Sequence, residues 1–421
     1  MRSLLLCVAL CAVAVSASAA PNTVNGSQKG SLLVFGDIRI DQGGGGDSCD
    51  SEVCSEAAVG RWDTLIRIQN DGASDVRVKC YWMDGYKNRV DFEFPITRNQ
   101  AVWFDARSGR GSVQVNPFPI AGANGFTGGN RHPFLGGDVQ ASWLGWNATL
   151  QPGFGPYERG MLMCWAVNQA GHTQIKWNHL SASATLYNTV AGAYEVAAFA
   201  MFAPTGSDLQ PIGTPGVLEL NGLEFDACPL YLIGQFSPPS PGNFPAGAIP
   251  YYSNRLAIVS CTQYLNQDWR PVWTKLQFDV WNEEEVKFTG AYECADSWHE
   301  TAFLPGIVGQ ATATGVPTTI GPAFIDGMDA AGQNFAFDTL GTYAARYRVQ
   351  GVKSTQCDRT KPTSGSGADV AAVTTEAVGI LGVQSSEELS SIFGTPLVAA
   401  GKMSGRVFWD PASTVPEGGI R

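Results

Sequence analysis

Residues 76–96 constrain the fold more than any other stretch of the chain. Val76, Val78, Cys80 and Trp82 alternate with Arg77, Lys79 and Tyr81. A period of two gives a strand with one apolar face, because successive side chains leave the backbone on opposite sides. Asp84-Gly85 supplies turn residues, and glycine permits the positive φ of a tight hairpin. Val90, Phe92, Phe94 and Ile96 then alternate with Asp91, Glu93 and Pro95. The sequence therefore predicts a hairpin with its apolar side inward, the seed of a β-sandwich. Cys80 is expected on the inner face as half of a disulfide.

A second stretch repeats this pattern. Leu276, Phe278 and Val280 alternate with Lys275, Gln277 and Asp279, an acidic turn follows at 282–285, and Val286-Lys287-Phe288 returns. Charged residues make up only 15% of the chain while Gly and Pro are plentiful, a composition of short strands and turns. The expected fold is mostly β: two disulfide-stapled antiparallel β-sandwich domains, immunoglobulin-like, with long loops. The prolines of residues 205–218 mark the boundary. The predicted organisation is a signal peptide at 1–19, an N-terminal domain at 20–210 and a C-terminal domain at 215–421, with few contacts between the two domains. A short C-terminal helix is expected over residues 386–393, where Ser385-Ser386-Glu387-Glu388 reads as a capping box and Gly394 follows the far end. Residues 194–202 fit either a strand or a short helix.

The first residues read as an export signal. Leu4 to Val15 is an apolar run too short to span a bilayer, preceded by Arg2 and followed by Ala17-Ser18-Ala19. The expected location is secreted, periplasmic or cell-surface, with no integral membrane segment. Of ten cysteines, Cys7 and Cys11 lie in the leader. The remaining eight read as disulfides. Sequence does not fix the pairing. The set that keeps every bridge within one domain is Cys49–Cys54, Cys80–Cys164, Cys228–Cys261 and Cys294–Cys357. The formal charge of −11 argues against nucleic acid as a partner.

Segment order and several motifs resemble a group of uncharacterised exported bacterial two-domain β-rich proteins. The carrying residues are 64–70 (TLIRIQN), 78–81 (VKCY), 99–103 (NQAVW), 175–180 (IKWNHL) and 276–283 (LQFDVWNE). The resemblance implies export and a mostly β architecture. It transfers no catalytic residue.

Candidate chemistry is sparse. No Gly-x-Ser-x-Gly elbow occurs, and no catalytic residue or cofactor is assigned. His172 and His179 bracket a predicted hairpin but lack an evident third ligand, so no metal site is assigned. The carboxylate sets Asp91 with Glu93, Glu224 with Asp226, and 283–285 have the composition of a glycosidase pair and equally of solvated surface. The acidic loop from Asp41 to Glu52, with Asp47 and Asp50, has oxygen ligands suited to calcium but not the spacing of a known calcium loop. Residues 105–160 form a Gly-rich insertion in which Trp143, Trp146 and Tyr157 are candidate binding rings for a glycan or a cell-surface protein. The leading expectation is an exported structural or binding protein of the cell surface or extracellular space. The alternative is an extracellular hydrolase of polysaccharide that uses a carboxylate pair.

Overall fold

The computed structural model describes residues 29–39, 62–83, 89–106, 111–113, 131–132, 135–136, 159–188, 192–236, 251–265, 273–282, 284–295, 297–304, 308–311, 317–319, 323–326, 335–336, 345–354, 376–389, 397–403 and 405–406. The described residues form β-strands, turns and connecting segments, and no helix occurs among them.

Strands are numbered along the chain. The N-terminal half holds β1 (Leu32–Arg39), β2 (Trp62–Asn70), β3 (Val76–Met83), β4 (Arg89–Ile96) and β5 (Gln100–Asp105). A small ribbon of β6 (Arg131–His132) and β7 (Leu135–Gly136) follows, then β8 (Arg159–Val167), β9 (Leu180–Asn188), β10 (Gly192–Ala197) and β11 (Phe199–Met201). They pair antiparallel as two sheets, β11-β1-β8-β3-β4 and β10-β9-β2-β5. The expected hairpin is present, with Val76 opposite Ile96 and Trp82 opposite Val90. The segment that fits strand or helix resolves as β10 and β11.

The buried faces of the two sheets meet through aromatic rings. Phe104 of β5 stands edge-on to Trp82, Phe92 and Phe94 of the other sheet, at centroid separations of 6.3, 5.7 and 6.0 Å. Such tilted pairs contribute about 0.5–1.5 kcal/mol each beyond area burial. Cys80 and Cys164 lie directly opposite on β3 and β8 and are bonded, with Cα atoms 4.1 Å apart. The bridge joins neighbouring strands of one sheet, whereas the immunoglobulin staple spans two sheets.

The C-terminal half begins with β12 (Val217–Glu219), β13 (Tyr231–Phe236), β14 (Tyr251–Ser260), β15 (Thr262–Tyr264), β16 (Thr274–Asn282) and β17 (Lys287–Ala295). It continues with β18 (Trp298–Leu304), β19 (Val308–Ala311), β20 (Pro317–Thr319), β21 (Ala323–Asp326) and β22 (Phe335–Ala336). The last strands are β23 (Ala345–Val352), β24 (Ile380–Leu389), β25 (Leu397–Lys402) and β26 (Gly405–Arg406). The two larger sheets run β17-β16-β23-β13-β26 and β22-β21-β18-β14-β24-β25. The second predicted hairpin is β16 with β17, with a bulge between Phe278 and Asp279. Cys228 and Cys261 are bonded as expected. Cys49, Cys54 and Cys357 lie outside the described residues, as does the side chain of Cys294. The two disulfides indicate an oxidising, extracytoplasmic environment.

One expectation is corrected. Of the predicted helix at 386–393, residues 386–389 belong to strand β24, which pairs with β14 over ten positions and with β25 on its other side. Buried Leu381, Val383 and Ser385 alternate along it. A strand held by ladders on both edges outweighs one side-chain cap, because the cap satisfies only a donor or two. Residues 390–393 lie outside the described residues.

Among the described residues no sheet crosses residues 205–218. The apolar core does. Strand β14 is buried on both faces. Leu256 and Ile258 point into a core with Phe278, Val280, Tyr347 and Val349 of the facing sheet. Ala257 and Val259, with Leu381, Val383 and Trp298, belong instead to the cluster that fills the N-terminal half. The halves pack closely at Gly36 of β1, where an added methyl would lie 3.3 Å from Val383 and 3.6 Å from Val259. The Trp298 indole N–H donates to the Gly36 carbonyl at 2.8 Å. A side chain here would press on Val383, which would have to give by a few tenths of an ångström.

Candidate functional site at the junction of the halves

A network of polar contacts lies where the linker 203–228 folds back on the N-terminal half. It starts from the turn Asn70-Asp71-Gly72, in which the Gly72 amide donates to Asn70 Oδ1 at 3.0 Å. The same oxygen accepts the buried Trp177 indole N–H at 2.9 Å. Asn70 Nδ2 donates to the carbonyls of Ser74 and Thr97, both at 3.0 Å. Any side chain at Gly72 would run into the Trp177 ring, so packing requires glycine. Asn70→Ala strands a buried indole N–H, and each such group costs about 1–3 kcal/mol. We expect a loss of about 2 kcal/mol in chemical denaturation, with an unchanged denaturant slope.

The residues after Trp177 hold the linker. Asn178 Oδ1 accepts from the Ala203 amide at 2.7 Å and its Nδ2 donates to the Ala203 carbonyl at 2.9 Å. His179 lies between Asp208, 3.1 Å from Nε2, and Asp71, 3.6 Å from Nδ1. Lys176 Nζ donates to Gly206 O at 2.9 Å. Backbone bonds run alongside, with Lys176 N to Gln210 O and Ile212 N to Gln174 O at 2.9 and 3.0 Å. Residues 174–176 thus pair with the linker more than with β8, which differs from the plain hairpin expected. His179 and exposed His172 share no metal geometry, and among the described residues no group of three His, Cys, Asp or Glu could hold a metal ion.

Further along the linker sit two buried carboxyls, Glu224 at 9% and Asp226 at 3% exposure. Gln174 Nε2 donates to Glu224 Oε1 at 2.5 Å and to the Val217 carbonyl at 2.8 Å. Gly213, at φ +57°, leaves no room for a side chain against the Glu224 carboxylate. The Phe202 amide donates to Asp226 Oδ2 at 3.2 Å, and the Asp226 amide donates to the Phe202 carbonyl at 2.8 Å. Burial raises the Glu224 carboxyl from 4.5 to about 7; the Gln174 hydrogen bond offsets part of this and the like charge of Glu219 adds to it. Burial likewise raises Asp226 from 3.8 to about 6, against the hydrogen bond from Phe202.

The other carboxylate sets lie apart. Asp91 and Glu93 share the outer face of β4, paired with Lys79 at 3.9 Å and Arg77 at 2.5 Å on β3. Glu284 and Glu285 are exposed in the β16–β17 turn, and Glu283 lies outside the described residues. Trp143, Trp146, Tyr157 and the loop from Asp41 to Glu52 also lie outside. The described part of the insertion begins beside Trp103, 48% exposed on β5, whose carbonyl accepts from the Ser112 amide at 2.9 Å. The sequence singled out Glu224 and Asp226 as a pair but not their partners. Gln174, Gly213 and Phe202 carry no chemical signature and reach the pair only through the folded linker.

No family model matches the chain, and a search of curated proteins returns no match.

Proposed function

We propose that the protein is an exported structural or binding component of the cell surface or extracellular space, without catalytic activity, built as two β-sandwich domains of immunoglobulin-like kind. One observation carries this over the hydrolase alternative: two of the candidate carboxylate pairs, Glu224 with Asp226 and Asp91 with Glu93, are engaged in holding the fold. A glycosidase needs two carboxyls about 5–10 Å apart on either side of an open sugar site. Glu224 and Asp226 are buried and bonded to Gln174 and Phe202, while Asp91 and Glu93 close cross-strand ion pairs. The resemblance to exported bacterial β-rich proteins agrees with this reading. So do the two disulfides. Among the described residues no helix is long and apolar enough to cross a membrane.

The binding surface proposed is the insertion 105–160, with Trp143, Trp146 and Tyr157 as the rings that stack on sugars or anchor a protein partner. The test uses the purified full chain on insoluble extracellular glycans and cell-surface extracts. Retention without release of reducing ends is expected. The triple variant W143A/W146A/Y157A should keep its near-UV spectrum and lose retention at least about tenfold, since hot-spot rings each contribute about 1–3 kcal/mol. Release of reducing ends that disappears in a carboxylate variant would establish the hydrolase instead.

A further inference from the structure

Residues 219–228 form a loop anchored in one half and docked on the other. Its base belongs to the C-terminal half: Leu220 N donates to Cys261 O at 3.1 Å, Cys228 N donates to Leu220 O at 3.3 Å, and the Cys228–Cys261 disulfide closes it. Its two buried carboxyls face the N-terminal half, Glu224 at Gln174 and Asp226 at Phe202. We propose that this loop is a pH-operated latch, docked while Glu224 and Asp226 hold protons and released from the N-terminal half when they ionise.

The surroundings favour the neutral forms. Among the described residues no cation acts on either carboxyl, and the charge that acts on Glu224 is that of Glu219. The elements packed around the loop present few charged groups. From the 168–177 turn, Lys176 is directed to Gly206 O and lies over the Phe202 ring at 5.6 Å, and His172 is exposed. From the linker, Asp208 is engaged by His179. The segment after β11 offers Asp226 only backbone groups of Phe202, and β15 carries no charged side chain. Glu224 accepts from Gln174 and from the Glu219 backbone beside a like charge, and Asp226 accepts from the Phe202 backbone; burial outweighs these donors, so ionisation strains the docked position.

The direction follows from proton uptake. Both carboxyls are raised in the folded chain, so the docked state binds more protons than the released state between about pH 4 and 7. Docking is complete below the ordinary carboxylate range and weakens as pH rises through about 6 and then about 7. The latch needs no partner and stands or falls independently of the binding role proposed above.

Hydrogen exchange of the full chain tests it, with rates corrected for the intrinsic pH dependence of exchange. The probes are the Asp226 amide, bonded to Phe202 O, and the Ile212 amide, bonded to Gln174 O. The reference is the Ala106 amide, bonded to Thr64 O within the N-terminal half. Protection at the two probes should fall at least about tenfold relative to Ala106 between about pH 5 and pH 8.5, one decade corresponding to about one unit of pKa difference. The variant E224Q/D226N should keep its protection across that range. A flat wild-type profile overturns the latch, as does an equal fall in the double variant. If the double variant does not fold, the wild-type midpoint decides: a midpoint of about 6–7 supports the latch and a flat profile ends it.

Discussion

Replacing Trp298 by alanine is expected to lower the unfolding free energy by about 3–5 kcal/mol, the range for truncating a large buried aromatic side chain. Trp298 is 2% exposed and sits opposite Val259 in the strand pair β14–β18. Its ring belongs to the cluster that continues into the N-terminal half, and its N–H reaches Gly36, 262 positions away in sequence. The void left by alanine cannot close by local shifts. The strands around it are held in register on both sides, β1 by β8 and β11, and β14 by β18 and β24. Loss of the indole also leaves the Gly36 carbonyl without that donor. Trp298→Phe separates the two contributions, since it keeps most of the apolar volume and should cost only about 1–2 kcal/mol. The alanine variant should also uncouple the halves, so that their unfolding transitions, coincident in the wild type, separate by at least several degrees. A loss below about 1 kcal/mol would mean that the ring does not bridge the halves.

The second large effect belongs to the Cys80–Cys164 bridge. The double variant C80A/C164A should lose about 2–5 kcal/mol. The bonded cysteines are separated by 84 positions, and the loop between them contains the whole insertion 105–160. A covalent link across so long a loop removes much entropy from the unfolded chain. The Cys228–Cys261 bridge, with a separation of 33, should be weaker by about 1 kcal/mol in the same loop-entropy comparison. Alanine is the right replacement because both sites are fully buried, and a hydroxyl would add a desolvation cost of its own. Urea midpoints of wild type and variant, each with and without reductant, check the expectation. Reductant should move the wild type toward the variant and leave the variant nearly unchanged at that bridge. An equally stable variant would show that the sheet pairing β3–β8 alone fixes this region.

Much of this architecture is legible in the sequence where one face of a strand is wet. The alternation in 76–96 and 274–281 gives both hairpins, and the set that keeps each bridge within one domain contains both observed disulfides. What escapes the period-two pattern is the seam. Leu32 to Phe35, Met161 to Val167 and Leu256 to Val259 are unbroken apolar runs, and each is buried throughout in the fold. A strand covered on both faces needs no polar alternation, so an unbroken run is the sequence mark of a shared core. The C-terminal helix fails for a related reason. Ser385-Ser386-Glu387-Glu388 carries local cap chemistry, but β14 and β25 offer β24 a ladder on each edge. Local preference gives way to tertiary pairing. At the junction, Glu224 and Asp226 are visible as residues, but their burial is not. It depends on the linker folding back along 174–176, which is set by Asn178 gripping Ala203 and His179 facing Asp208.

A buried apolar cluster is shared by the two halves across the linker. Scanning calorimetry of the full chain at about pH 5, where the carboxyls at the junction are protonated, tests it most directly. A single endotherm whose calorimetric and van't Hoff enthalpies agree is the predicted result, splitting into two in Trp298→Ala. Two well-separated endotherms in the wild type, unchanged by that substitution, would contradict it.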